Sequence, residues 1–464
     1  MSTHGSQLET TVVVGGSVAG LLAAAAAASH TKRVVLVERD PLPPDPGTRP
    51  GTPQAGQIHG LLASGREAME TLLPGLTDDL VDQGGRVGDI GTDVRWHLGG
   101  HRVAARPVGA VGLAVSRPLL EAYVRARVRD LPNVTILERV HARALLWDRH
   151  GAVTGVRVQH LDEPTRGEES LSADVVVDAT GRPGRASGWF TKQGWPVPHE
   201  ERILIGVRYT TVHVPHREGD LDGAAAVIVS ASPTNPRPAA AVRQEDHTWI
   251  VGVGGYLEQQ PPTDPDALRA FARGLAAPEI AELLGRELLH PARTYRFAHS
   301  VRRRIERVRL PKGYAVLGDA ICSFNPVFGQ GMSVAAMQAI SLGEALGSVD
   351  ASEGLRAALG RYHRQAVARV DQAWKLVLSS DLQIPGVVGR RPPGHTAVSA
   401  YLGRVQSTAT RDPVVARTLL RVTALLQPPQ TLFRPTVVTR VAAGAGRQPT
   451  PSHPRPSATA GTGG

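Results

Sequence analysis

The first long apolar stretch, Thr11 to Ala28, changes character twice along its length. Thr11–Val14 is β-branched and lacks polar alternation, the pattern of a strand buried on both faces. Gly15-Gly16-Ser17 interrupts the run, and Gly20 interrupts it again. Leu21–Ala28 is then made of strong helix formers. These breakers leave no apolar run of the roughly 18 residues that a membrane span requires. The preceding MSTHGSQLE has no Lys or Arg, so the basic start of a secretory signal is missing as well. The pattern predicts a strand, a Gly-rich turn and a helix, followed by a second strand in RVVLVERD, Arg33 to Asp40.

Further along, the periodicity alternates between the two types. A Pro-rich stretch, Pro41 to Pro53, leads into a loop and an amphipathic helix in QAGQIHGLLASGREAMETLLPG. Ser116 precedes Arg117-Pro118, which predicts an N-cap with proline in the first turn. A strand is expected near Val134, and strand patterns return at Ala142–His160 and Ser172–Val177. Between residues 203 and 257, alternation punctuated by Gly and Pro predicts an antiparallel sheet and a second domain. A strand recurs at Tyr314, and helical periodicity runs from Met332 to about Leu426. The tail from Gln448 is Pro, Ser, Thr and Gly with little apolar content, and is expected to be disordered.

Composition narrows the class. A chain of 464 residues is long enough for two or three domains. Cys322 is the only cysteine, which excludes an intrachain disulfide and fits a cytoplasmic location. The net charge of +10 invites an acidic partner, but the basic residues are scattered and aromatics are only 4%, so no nucleic-acid partner is expected. Arg302-Arg303-Arg304, the densest basic run, reads as a solvated strand edge. No metal-ligand spacing, Ser-His-Asp arrangement or paired carboxylates stand out, so a metal site is not expected and a cofactor would carry the chemistry.

Two motifs suggest which cofactor. Gly15-x-Ser17-x-x-Gly20 is a dinucleotide turn with Ser17 in place of the middle glycine. There Gly15 makes the tight turn, Gly20 lets helix and strand approach, and the helix start faces phosphate. Glu38 follows about 20 residues on, where an acid can accept ribose hydroxyls. The second motif is GYAVLGDAICSFNPVFGQGMSVAAMQA, Gly313 to Ala339. It places Asp319 at a strand end, then Gly329 and Gly331 at a helix start, where backbone N–H groups can face an anion.

The second motif resembles the GD motif of FAD-dependent monooxygenases related to para-hydroxybenzoate hydroxylase. VVVDATGRPGRAS, Val175 to Ser187, resembles that family's strand beside FAD, and SRPLLEAYVRARV its helix carrying Arg117 toward the cofactor. GTPQAGQIHGLLASG and the helical C-terminal part resemble bacterial epoxidases acting on polyene precursors of polyether ionophores. The resemblance implies an α/β fold: a Rossmann-like FAD-binding domain, an inserted antiparallel substrate sheet and C-terminal helices. The FAD-binding domain would take residues 10–75, 100–187 and 300–348, and the substrate domain 76–99 and 188–299. A helical region would follow at 349–446, and a disordered tail at 447–464.

The resemblance also implies that FAD is held by Gly15, Ser17, Gly20, Glu38, Arg39, Arg117, Ala142, Asp178, Gly181, Gly318, Asp319, Gly329, Gly331 and Met332. His59 lies in the loop that covers the flavin in relatives, where it would bond the flavin or guide protons. Pro326 and Phe328, with Phe324 and Val327, would wall the substrate pocket. In that family, reduced flavin carries dioxygen as a C4a-hydroperoxide, whose distal oxygen passes to an alkene. Electrons would come from NAD(P)H, or from reduced flavin supplied by a flavin reductase, since no second nucleotide fingerprint appears. The substrate would be an apolar small molecule, a long polyketide or polyene. The alternatives are an aromatic hydroxylase of a phenolic natural product, an FAD-dependent reductase or dehydrogenase, and a non-catalytic flavin- or lipid-binding protein. GWFTKQGWPVP lacks the W-x-W-x-I-P of flavin halogenases, and Lys192 within it reads as a surface residue.

Overall fold

A computed structural model describes residues 8–349 and 354–444. The tail expected to be disordered lies outside the described residues. A five-stranded sheet, parallel throughout, runs in the order Tyr314–Val316, Val175–Asp178, Leu8–Val14, Thr31–Val37, Val134–Leu137. Leu8–Val14 is its central strand, with neighbours hydrogen-bonded on both edges. Val12 and Val13 have no exposed surface, which accounts for the unbroken β-branched run.

The helix Val18–Ala28 is buried nearly all round and packs against the helices Gly331–Gly347 and Arg117–Arg129. Its alanines make that possible. A Cβ added at Gly343 would lie 3.4 Å from the Ala26 carbonyl oxygen, so two backbones meet almost directly. Ser116 caps Arg117–Arg129 as expected, its hydroxyl accepting the Leu119 N–H at 3.2 Å.

A second sheet has eight strands, in the order Cys322–Ser323, Arg293–Arg303, Glu200–Pro215, Thr248–Gly255, Ala239–Arg243, Ala226–Val229, Val94–Leu98, His101–Arg102. It is antiparallel as expected, except that Val94–Leu98 joins Ala226–Val229 in parallel. A smaller antiparallel sheet is formed by Val140–Trp147, Val153–His160 and Glu168–Ser172.

The described residues end in the helices Gly331–Gly347, Leu355–Asp381, His395–Ala409, Pro413–Thr423 and Pro435–Gly444; the last lies past the periodicity that ran to about Leu426 but within the helical region expected at 349–446. Leu355–Asp381 is pinned to the parallel sheet where the Tyr362 hydroxyl donates to the Val316 carbonyl at 2.8 Å. The last three pack on one another around Leu402, Val405, Val415 and Leu420 and reach Leu98 and Val108. Among the described residues, no helix is long and apolar enough to cross a membrane.

The reading of Arg302-Arg303-Arg304 as a solvated edge is corrected. Arg302 and Arg303 are 2% and 5% exposed. Arg302 pairs with Asp371 at 2.5 Å, because the helix Leu355–Asp381 covers this strand and brings an acid to it. Arg303 pairs with Glu200 at 3.1 Å, and Arg304 pairs with Glu201. Buried guanidinium groups persist only with such partners.

Candidate flavin site

The first strand ends in a turn that only glycine can make. Gly15 has φ +109°, and a Cβ there would fall 2.4 Å from the Ala179 carbonyl oxygen. A Cβ at Gly20 would lie 1.7 Å from the Gly15 carbonyl oxygen, which fixes how closely the helix follows the turn. Both Glu38 oxygens are engaged at this turn: one accepts the Gly16 N–H at 2.6 Å, the other the Asp40 N–H at 3.0 Å.

Ser17 precedes the helix Val18–Ala28 without capping it. Its hydroxyl donates to Glu121 at 3.1 Å and accepts from Arg117 at 2.9 Å. Val18 and Ala19, whose N–H groups have no partner within the helix, line the cavity here.

Under the turn lies an ionic network that the sequence does not announce. Arg49, from the Pro-rich loop, donates to Glu121 at 3.0 Å, to Asp40 at 3.0 Å and to the Gly16 carbonyl at 3.1 Å. Glu121 also pairs with Arg117 at 2.9 Å. Burial acts to raise the Glu121 pKa, but Arg117 and Arg49 outweigh it and hold the carboxyl below its usual range. The i, i+4 spacing of Arg117 and Glu121 is visible in the sequence, but nothing there shows that Arg49 folds back onto it.

The second wall follows the strand Val175–Asp178. Asp178 is fully buried and accepts from the Thr180 N–H at 2.9 Å, the Thr180 hydroxyl at 2.7 Å and the Tyr314 hydroxyl at 2.8 Å. It therefore shapes the loop rather than facing the cavity. Gly181, on that loop, has φ +73° and open space where a Cβ would project.

The third wall is the late motif. The Gly318 N–H donates to Gln338 at 2.7 Å, and Arg303 donates to the Asp319 and Ala320 carbonyls at 3.2 and 3.1 Å. Asp319 is thus presented at the cavity by a clamped backbone. Burial raises its carboxyl pKa, opposed by the nearby positive charges of Arg117 and Arg182. Gly329, at φ +63°, turns the chain into the helix beginning at Gly331 and also has open space at its Cβ position.

One cavity of about 720 Å³ gathers most of the predicted residues. Gly15, Ser17, Glu38, Arg39, His59, Arg117, Ala142, Gly181, Gly318, Asp319, Pro326, Phe328, Gly329, Gly331 and Met332 all line it. Gly20 and Asp178 stand behind its wall. Lys192 is exposed and does not line it. The His59 Nδ1–H donates to the Gln57 carbonyl at 2.9 Å, which leaves Nε2 as an acceptor. Burial, with Arg117 nearby, lowers its pKa to about 4, so the imidazole is neutral at pH 7.

The cavity continues to an apolar wall of Trp96, Leu98 and Ile228 from the eight-stranded sheet, together with Leu376, Leu419 and Leu420 from the C-terminal helices and Ile384 from the loop after Asp381. The polar end fits FAD. Glu38 and Asp319 would accept hydroxyl hydrogens, the helix start at Val18 would face the pyrophosphate, and the open Cβ positions of Gly181 and Gly329 would admit a ligand against backbone. Gln330 Oε1, buried at the same wall, has no partner among the described residues and awaits a donor.

Comparison with known proteins supports this reading. Residues 11–184 match the FAD dependent oxidoreductase family. Protein Rv3254 of Mycobacterium tuberculosis (strain ATCC 25618 / H37Rv) is 32% identical over 448 residues, covering 91% of this chain and 90% of its own length. The chain belongs to the FAD-dependent oxidoreductases, in one family with that protein. Among solved structures, the flavin-dependent brominase Bmp2 matches with a TM-score of 0.69 at 16% identity, over 94% of this chain and 98% of its own. PqsL, a probable FAD-dependent monooxygenase from Pseudomonas aeruginosa, gives 0.62 at 18% identity, over 81% and 97%. The p-nitrophenol 4-monooxygenase PnpA from Pseudomonas putida DLL-E4 gives 0.62 at 18%, over 91% and 99%. At these identities the likeness establishes the fold, a Rossmann-like FAD-binding α/β architecture shared with flavin monooxygenases.

Proposed function

We propose that the protein is a flavin-dependent monooxygenase that epoxidises carbon–carbon double bonds of a large, mostly apolar substrate. The observation that carries this is the continuity of the cavity, from the Gly15–Ser17 and Asp319–Gly331 walls to the apolar wall of Trp96, Leu98, Ile384 and Leu420. Burying each CH₂-sized unit contributes about 0.8 kcal/mol, so a long chain binds well with few polar contacts.

When bound, FAD supplies the redox chemistry that activates dioxygen and delivers one oxygen atom. The protein does the rest. Glu38 would hold the adenosine ribose and Asp319 the ribityl chain, which fixes the cofactor's register. The Gly331 helix start offers unpaired N–H groups and a positive dipole end to the charge that develops on reduction. Phe324, Val327 and Phe328 exclude water beside that position. His59 Nε2, on a ring neutral at pH 7, can accept a hydrogen bond from a group bound in the cavity. Electrons would come from NAD(P)H bound transiently, or from a flavin reductase.

The test is mass spectrometry of products formed under labelled dioxygen, with a polyene and a phenol offered together. One labelled oxygen per lost alkene is expected. Oxidation confined to the phenol would move the assignment to an aromatic hydroxylase. Turnover without dioxygen would move it to a dehydrogenase.

A further inference from the structure

A second cavity, of about 440 Å³, shares no lining residue with the flavin cavity. It lies between the segment 305–312 and the first half of the helix Leu355–Asp381. Arg356, Leu359, Gly360, His363, Arg364 and Val367 supply its helical wall. They fall at i, i+3, i+4, i+7, i+8 and i+11, which is one face of a single helix. The opposite wall is apolar at Val308, Leu310 and Pro311 and cationic at Arg309 and Lys312.

The charge of this cavity is not balanced from within. Arg309, Lys312, Arg356 and Arg364 have no salt-bridge partner among the described residues. Lys312 feels the charge of Asp148, which does not line the cavity. Among the described residues the lining holds one acid, Glu306, and it is engaged by Arg302 at 3.2 Å and Arg304 at 3.3 Å. Arg356 also stands in the first turn of its helix, a turn without an acid, so its charge sits at the positive end of the helix dipole. That arrangement is unfavourable until an anion joins it.

Two further residues point to a ligand. His363 Nε2 is buried and has no partner among the described residues. Burial lowers the pKa of this imidazole to about 4, so at pH 7 the ring is neutral and carries one N–H that an anion can accept. Gly360 keeps the floor open. A Cβ there would meet only the Arg364 guanidinium, at 3.7 Å, so packing does not demand glycine. Glycine inside a helix is less stable than alanine, yet it stands where a larger side chain would fill the cavity.

We propose that this cavity is a second ligand site, and that it takes an amphipathic organic anion. A carboxylate would lie between Arg356 and Arg364, whose guanidinium forks match it, and an apolar chain would lie against Leu310, Leu359 and Val367. Both walls continue into the flavin site. The segment 305–312 leads through Tyr314–Val316 to Asp319, and the helix runs on to Leu376. An occupant therefore contacts the two elements that carry that site.

The FAD-loaded protein is titrated by calorimetry at pH 7 with three probes. Octanoate carries chain and charge, octan-1-ol the chain alone, and acetate the charge alone. Octanoate should bind at least tenfold more tightly than either of the others. The double variant Arg356→Ala/Arg364→Ala should weaken octanoate about tenfold and leave octan-1-ol unchanged. Gly360→Leu should weaken octanoate by a similar factor with every charge in place. No binding of octanoate to the wild type overturns the proposal. Wild-type affinity in either folded variant does so too, since octanoate would then sit elsewhere, as in the flavin cavity. Equal weakening of octanoate and octan-1-ol by the double variant also overturns it. If Gly360→Leu gives no folded protein, the double variant decides, because Arg356 and Arg364 are exposed.

Discussion

Arg49 Nε donates to Glu121 Oε1 at 3.0 Å across 72 positions of sequence, and neither side chain reaches solvent appreciably. The pair ties the Pro-rich loop to the helix Arg117–Arg129 directly beneath the Gly15–Ser17 turn. Arg49→Met would leave Glu121 with one guanidinium and the Gly16 carbonyl without its donor. Breaking a buried pair from one side costs about 3–5 kcal/mol. A fall of that size in urea-denaturation free energy is expected, together with weaker FAD binding. Arg49→Lys should rescue only partly, because one ammonium cannot reproduce contacts to Glu121, Asp40 and Gly16.

Asp319→Ala tests the late motif. Loss of a charge-assisted hydrogen bond is worth roughly 1.5–3 kcal/mol, so FAD affinity should fall about tenfold or more while the fold survives. Fluorescence titration of the apoprotein with FAD measures it. Unchanged affinity would remove Asp319 from the cofactor site.

Gly20→Ala tests the close approach of helix and turn. The new methyl would lie 1.7 Å from the Gly15 carbonyl oxygen, so the backbone must move. Overpacking costs about 1–3 kcal/mol, and here the strain falls on the phosphate turn. Lower thermal stability and reduced FAD retention are both expected. Gly329→Ala, with open space at its Cβ but φ +63°, should affect FAD binding more than global stability.

The buried Asp381 carboxyl predicts a pH dependence of stability. Its folded pKa, about 7, lies above the ordinary aspartate value of 3.8. Its contribution is therefore full below about pH 4 and is lost as pH rises through about 7. A tenfold change in proton affinity corresponds to about 1.4 kcal/mol, so the loss is on the order of a few kcal/mol. Asp381→Asn should flatten this part of the pH–stability curve, and denaturation at pH 5 and pH 8 compares the two proteins.

The sequence by itself determined the local devices. Gly15, Gly20 and the β-branched run Thr11–Val14 specify strand, turn and helix through sterics between near neighbours. Ser116 and Pro118 specify a helix start for the same reason. The spacing from Gly20 to Glu38 and the run from Asp319 to Gly331 were legible because each spans one strand–turn–helix unit, where chain geometry fixes the outcome. Tertiary structure alone decided the partners. Arg302-Arg303-Arg304 reads as a surface run until Glu200, Glu201 and Asp371 arrive from other elements. Arg49 looks like one more loop charge until it reaches Glu121, and Val94–Leu98 could not be given its parallel neighbour. Asp381 reads as an ordinary helix-end acid until Tyr256 and Asn325 close over it. A residue's type fixes what it can bond to, but which charge is buried, and against what, depends on surfaces that meet only when distant segments pack.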